Sequence, residues 1–296
     1  MAKILTKKLF LRHTLHWAGS ALALLGITFV ALRMRDYGAA LDFSRFDTVR
    51  WSAVVGLSLL YSIANLMLAL AWWNLLKQLG TDISRRWTIK TYGVTQLAKY
   101  APGNIFHLAG RQAIGMAAGV AGWTLAKSSV WELALISIAG AMFGLLSLPL
   151  LISNLPIAIS AILFAAIVVT AASMFWLFVG PPVAHAFIWQ VGFLVISGLI
   201  FTGLLALQDG TLNLSTFKWL PLCGAYVVAW LAGLVVPGAP AGVGIRELIL
   251  LFLLKGEIAE ADLVFIILVG RMVTVFGDFL FFLSSSIMSN TKISKM

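Results

Sequence analysis

Charge is what this chain has least of. Only 11% of its 296 residues are charged, where a soluble domain carries roughly 25%, so a solvated globular protein is excluded. With 61% hydrophobic residues and a mean hydropathy of +0.99, the chain reads as an integral membrane protein. Its single cysteine, Cys223, rules out an internal disulfide and lies in an apolar segment as a packing residue. The four histidines, His13, His16, His107 and His185, have neither metal-ligand spacing nor a serine and acid in a hydrolase pattern. No Walker-type phosphate loop occurs, so ATP is not the direct energy source. No stretch alternates with period two for long enough to build an outer-membrane barrel, which leaves helical spans. The longest polar loops run to about 20 residues and a separate domain needs at least roughly 50. The expected fold is therefore all-α and polytopic: one integral membrane domain over 1–296, with possible related halves 1–152 and 153–296, and no cofactor.

Acids are scarcer than bases, 11 against 21, for a net charge of +10. The basic residues are scattered over short loops and termini without the interleaved aromatics of a nucleic-acid stripe, so nucleic acid is excluded as a partner. Topogenesis and anionic headgroups account for the excess. Apolar length places eight spans near 14–32, 51–76, 104–121, 128–152, 157–179, 187–207, 217–236 and 263–288. The stretch 240–254 is too short to cross about 30 Å of hydrocarbon and reads as re-entrant. The stretch from Trp87 to Tyr100 is mildly amphipathic and either lies at the interface or enters the membrane before Pro102. The basic N-terminus reads as a cytoplasmic leader to a retained first helix, because no small-residue cleavage pattern follows it. Lys3, Lys7, Lys8 and Arg12, then Lys77, Arg85, Arg86 and Lys90, put both of these segments in the cytoplasm. With eight crossings the tail Lys292 and Lys295 ends there too.

Two apolar runs are broken by the same phrase. Lys99-Tyr100-Ala101-Pro102-Gly103 leads to Arg111, and Val235-Val236-Pro237-Gly238 leads to Arg246. A helix interrupted in a bilayer survives only where protein or a polar cavity satisfies its backbone, and paired interruptions point to a transporter's binding site. If Gly103 opens a helix, Asn104, His107 and Arg111 share one face. Unpaired N–H groups at that helix start, with Lys99, His107 and Arg111 around them, make a phosphate grip. The second break is richer in glycine: Gly238, Gly242 and Gly244 allow close approach, and Arg246 and Glu247 follow directly. Neighbours on a helix point about 100° apart, so this pair needs separate partners. Glu132, Asp278 or a substrate anion can meet Arg246; Arg271 or Arg111 can meet Glu247. Glu132, Arg271 and Asp278 are ionisable residues inside apolar helices and so functional candidates, with structural ion pairing as the alternative. Asn65 reads as interhelical glue, and Gly270, Thr274 and Gly277 as a tight helix contact.

These phrases, from Lys99 to Arg111, Trp131-Glu132, and Pro237-Gly238 through Gly242-Val243-Gly244-Ile245-Arg246-Glu247, resemble the lysylphosphatidylglycerol synthase transmembrane region. That is the flippase part of the multiple peptide resistance factor, and it also occurs as stand-alone membrane proteins. The resemblance covers most of the chain from about residue 50 onward. It implies movement of a lipid between leaflets of a bacterial inner membrane, with the motif residues lining the cavity. Substrates open to such a protein are an anionic phospholipid, an aminoacyl-phospholipid or a polyprenyl-phosphate-linked lipid, with a lipid-modifying synthase or glycosyltransferase as a partner. These 296 residues include no counterpart of the cytoplasmic aminoacyl transferase domain of the fused proteins, so lysyl-lipid synthesis is not expected of them. Two other readings compete: a polyprenyl-dependent glycosyltransferase using Asp36, Asp42 and Asp47, and a non-transporting scaffold for a lipid synthase.

Overall fold

The computed structural model describes residues 42–101, 105–152, 154–209, 219–236, 242 and 244–289, together with positions 28, 32, 35 and 39. Most of the expected span 14–32 lies outside the described residues, as do Asp36, Gly103, Asn104 and Gly238. Among the described residues the regular elements are helices: α1 Thr48–Gln78, α2 Arg85–Gln96, α3 Phe106–Ala117, α4 Gly122–Met142, α5 Gly144–Leu151, α6 Ile157–Met174, α7 Pro181–Asp209, α8 Trp219–Val235, α9 Ile245–Leu253 and α10 Glu260–Ile287. Five segments are long and apolar enough to cross a membrane: α1, α4 running on into α5, α6 with the turn after it, α7 and α10. The chain is an all-α membrane protein.

The stretch 104–121, read above as a span, is corrected. Its helix α3 has 12 residues, about 18 Å at 1.5 Å per residue and well short of a ~30 Å core. Gly119, at φ 97°, stops it, with the Gly119 and Val120 amides bonding back to the carbonyls of Met116 and Gly115. That left-handed C-terminal cap suits glycine because no Cβ opposes it. Nor does α3 start at Gly103; its first residue is Phe106. The other short piece, α9, has nine residues and lies where a re-entrant segment was expected.

The long α1 is apolar on every side. Val55, Leu59 and Ile63 face outward, while Tyr61, Ala64, Asn65, Leu68 and Trp72 are buried. Lipid tails are as apolar as leucine, so burial alone does not select the inner face; close packing and polar contacts do. At Gly198 of α7 an added Cβ would fall 2.2 Å from the Cys223 sulfur, and Cys223 is buried there as a packing residue. At Gly277 of α10 a Cβ would stand 2.8 Å from the Ser58 carbonyl oxygen of α1. Helix α2 is capped by the Ser84 hydroxyl, which accepts from the Trp87 amide. Its buried face is polar, with Thr88, Thr91, Tyr92, Thr95 and Gln96 turned into the bundle against α1 and α10. The stretch 87–100 thus packs on the other helices of the bundle.

Replacing Gly277 by valine should cost about 1–3 kcal/mol, because the obstacle is backbone and cannot rotate away. Gly56, in the same bundle, has nothing within 4 Å of an added Cβ, so Gly56→Ala should keep or raise stability. Thermal unfolding of the purified variants in detergent checks both, and equal melting of Gly277→Val and the parent protein would contradict the close crossing.

Candidate functional site

The two broken segments converge. Helix α2 runs through a 3-10 turn, Leu97–Tyr100, and α3 begins at Phe106; α8 ends at Val235 and α9 begins at Ile245, so each Pro-Gly phrase of the sequence falls between two helices. Each pair packs together as a hairpin. Between the hairpins lies a cavity of about 90 Å³, room for about three waters at ~30 Å³ each. The first hairpin lines it with Tyr92, Gln96, Lys99, Tyr100, His107 and Arg111, the second with Trp230, Leu234 and Arg246. Tyr61, Glu132 and Arg271 come in from the long helices.

Three carboxylates near the cavity are each engaged by a cation. Asp278, fully buried in α10, accepts from Lys99 Nζ at 2.7 Å, from the Tyr100 hydroxyl, from Asn65 Nδ2 at 3.1 Å and from Gln96 Nε2 at 3.2 Å. Asn65 is thus the interhelical link expected, tying α1 to α10. Glu132 in α4 accepts from Arg111 Nη1 at 2.6 Å and from the Tyr92 hydroxyl at 2.9 Å. The Arg111 guanidinium lies 4.2 Å from the Tyr92 ring centre and 5.4 Å from that of Trp72, so aromatic faces cover what the carboxylate does not. Arg271 Nε and Nη2 both donate to Glu247 Oε1, at 2.8 and 2.7 Å, and Nη2 also reaches the Gly242 carbonyl at 3.0 Å. The other Glu247 oxygen accepts from the Gly244 amide at 2.6 Å, closing the start of α9. Gly244 sits at φ 86°, a backbone conformation that a Cβ would strain.

Arg246 has no such partner. Among the described residues no carboxylate stands within ion-pair distance of it, and its buried Nε makes no hydrogen bond. Its carbon stem threads between α8 and the loop before α9: a Cβ on Gly233 would come within 2.8 Å of Arg246 Cγ and 2.9 Å of Gly242 Cα. The guanidinium ends 5.6 Å from the centre of the Trp230 ring. His107 Nδ1 is likewise buried without a hydrogen-bond partner among the described residues. Apolar residues complete the cavity wall, namely Leu108, Leu133, Ile136 and Leu234. Leu133 is 37% exposed, so the apolar side of the cavity adjoins the molecular surface midway along the α4 span.

Of the expected site residues, Lys99, His107, Arg111, Glu132, Arg246 and Arg271 line one cavity, with Asp278, Glu247 and Gly242 bonded directly behind it. His107 and Arg111 share a face of α3 as their four-residue spacing requires. Lys99 and Arg111, expected to form a phosphate grip, line the cavity paired with Asp278 and Glu132. Glu247 meets Arg271, and neither Glu132 nor Asp278 meets Arg246. Tyr61, Tyr92, Gln96, Tyr100 and Trp230 were not singled out in the sequence. The signal for two of them is the run Thr88, Tyr92, Gln96 at four-residue spacing, a polar ridge that lipid cannot accept and protein must. Asp42 and Asp47, candidates for metal or base chemistry, serve as helix caps, accepting from the Ser44 and Arg50 amides. The Ser44 hydroxyl and amide bonds hold the Asp42 carboxyl below its ordinary range. No family model, curated protein or solved structure matches this chain.

Removing Asp278 strands Lys99 beside two amides and a hydroxyl that have lost their acceptor. Asp278→Ala should therefore lose about 3–5 kcal/mol of stability. In a double-mutant cycle with Lys99→Ala, followed by thermal unfolding in detergent, the double variant should recover at least about 1 kcal/mol relative to the sum of the singles. Additive losses would show that the pair is not coupled.

Proposed function

We propose that the protein moves an anionic lipid between the leaflets of a bacterial inner membrane, with its basic N-terminal segment in the cytoplasm. One observation carries this reading: a cavity between two broken helical hairpins holds an arginine that no acid of the described residues neutralises, opposite an apolar wall that reaches the surface. An unpaired cation inside a membrane protein is costly, by about 2.5–3.5 kcal/mol at mid-bilayer on insertion scales. A ligand's negative charge offsets that cost. The apolar side at Leu133 suits a tail that stays in lipid while the headgroup enters. Paired interruptions are also what moving substrates past a bilayer midplane calls for. The resemblance to the lysylphosphatidylglycerol synthase transmembrane region leads to the same activity. Arg111, Lys99 and Arg271 act in this reading as anchors that hold the hairpins in place around the arginine.

Reconstitution into liposomes carrying fluorescent phosphatidylglycerol tests it, with dithionite quenching reporting exchange between leaflets. The wild-type chain should speed exchange over empty liposomes, and Arg246→Ala should slow it about tenfold or more, the loss of one charge-assisted contact. Lys77→Ala, an exposed position at the end of α1, should leave the rate unchanged. Exchange no faster than in protein-free liposomes would overturn the proposal.

A further inference from the structure

The charges around the cavity set the charge of what it holds. Among the described residues, four cations, Lys99, Arg111, Arg246 and Arg271, stand against three carboxylates, Glu132, Glu247 and Asp278, each within 2.8 Å of its cation. One positive charge is left, on Arg246. From this count we infer that the site takes a headgroup with a single negative charge, a phosphodiester, and discriminates against diphosphates and against free inorganic phosphate. The inference rests on the anionic-lipid reading above and narrows it.

Two parts of the cavity select the ligand. A second negative charge would enter a low-dielectric cavity whose other cations are already engaged, and it would face Glu132 across a space of only about 90 Å³, with Asp278 close behind Lys99. Like charges at such range repel strongly when water is scarce. A single phosphodiester leaves the cavity neutral, with the planar Arg246 fork suited to two of its oxygens. The second part is the wall. Leu108, Leu133 and Leu234 give an attached hydrocarbon chain somewhere to lie, which a free phosphate cannot use. Together these select one charge carried on an amphiphile.

The charge count is also adjustable by a single atom-for-atom change. Glu132→Gln keeps the side-chain shape and the Tyr92 contact but frees Arg111, raising the net charge of the cluster by one. This makes a gain-of-binding variant available beside the loss variant Arg246→Ala.

The test is a titration of the purified full-length protein in detergent, followed by change in intrinsic tryptophan fluorescence; Trp230 lies against Arg246. The probes are dihexanoyl-phosphatidylglycerol, dihexanoyl-phosphatidylcholine, farnesyl diphosphate and inorganic phosphate. Wild-type protein should bind the phosphatidylglycerol at least about tenfold more tightly than each of the others, and Arg246→Ala should lose that preference. Glu132→Gln should shift the ratio of diphosphate to phosphatidylglycerol affinity about tenfold towards the diphosphate. Farnesyl diphosphate binding to the wild type as tightly as phosphatidylglycerol would overturn the single-charge inference while leaving an anionic-lipid site. Equal binding of inorganic phosphate would make the site one for a free anion. Binding of none of the lipids would remove the transport reading itself.

Discussion

Everything around the cavity follows from the rule that a charge inside an apolar bundle needs an opposite charge or a ligand. Three ion pairs obey the first half of that rule. Each of them also spans from a broken segment to a long helix: Lys99 in the turn after α2 to Asp278 in α10, Arg111 in α3 to Glu132 in α4, and Glu247 in α9 to Arg271 in α10. Neither short helix is long enough to hold its place by crossing the bilayer. The pairs moor them. Arg246, set between Gly233 and Gly242 by the close approach of α8 and the α9 hairpin, is held beside the same cavity and left without an acid among the described residues. The moorings are thus what give the unpaired arginine a fixed position.

The polar groups behind the pairs make them durable. A buried carboxylate with one cation still has lone pairs to satisfy, and here Asn65, Gln96 and Tyr100 supply them for Asp278, while Tyr92 does so for Glu132. Two of these four donors come from α2, the least apolar helix of the bundle, and a third from the turn that follows it. Its polarity makes little sense at a lipid-facing surface and full sense as the inner lining of a charged site. Sequence, packing and electrostatics agree at this helix: Ser84 starts it, Gly93 lets α10 approach, and Tyr92 and Gln96 face the acids.

Much of this was legible in the amino-acid sequence, for identifiable reasons. Ionisable residues in apolar runs are rare enough that Lys99, Arg111, Glu132, Arg246, Glu247, Arg271 and Asp278 stand out, and the structure gathers all seven in or immediately behind one cavity. The two Pro-Gly breaks marked where helices stop. What could not be read was the pairing, because charge partners are set by how helices cross, and the sequence offers several acids for each base. Arg111 reads as part of a phosphate grip and pairs with Glu132, while the adjacent Arg246 and Glu247 diverge as a helix's 100° step demands. The short α3 was read as a span because its apolar stretch runs on past the Gly119 cap into α4, and hydropathy does not register a glycine stop. Tyr92 and Gln96 escaped notice because a mildly amphipathic helix with basic residues at its start looks the same at a membrane surface as it does inside a bundle.

The account's central claim is that Arg246 is the one charge of this cluster that a lipid completes. Native mass spectrometry of the protein released from mild detergent measures this most directly, by the lipid each chain carries with it. The account predicts an anionic phospholipid retained by the wild-type protein and lost from a folded Arg246→Ala variant. Equal retention of anionic lipid by both proteins would contradict it.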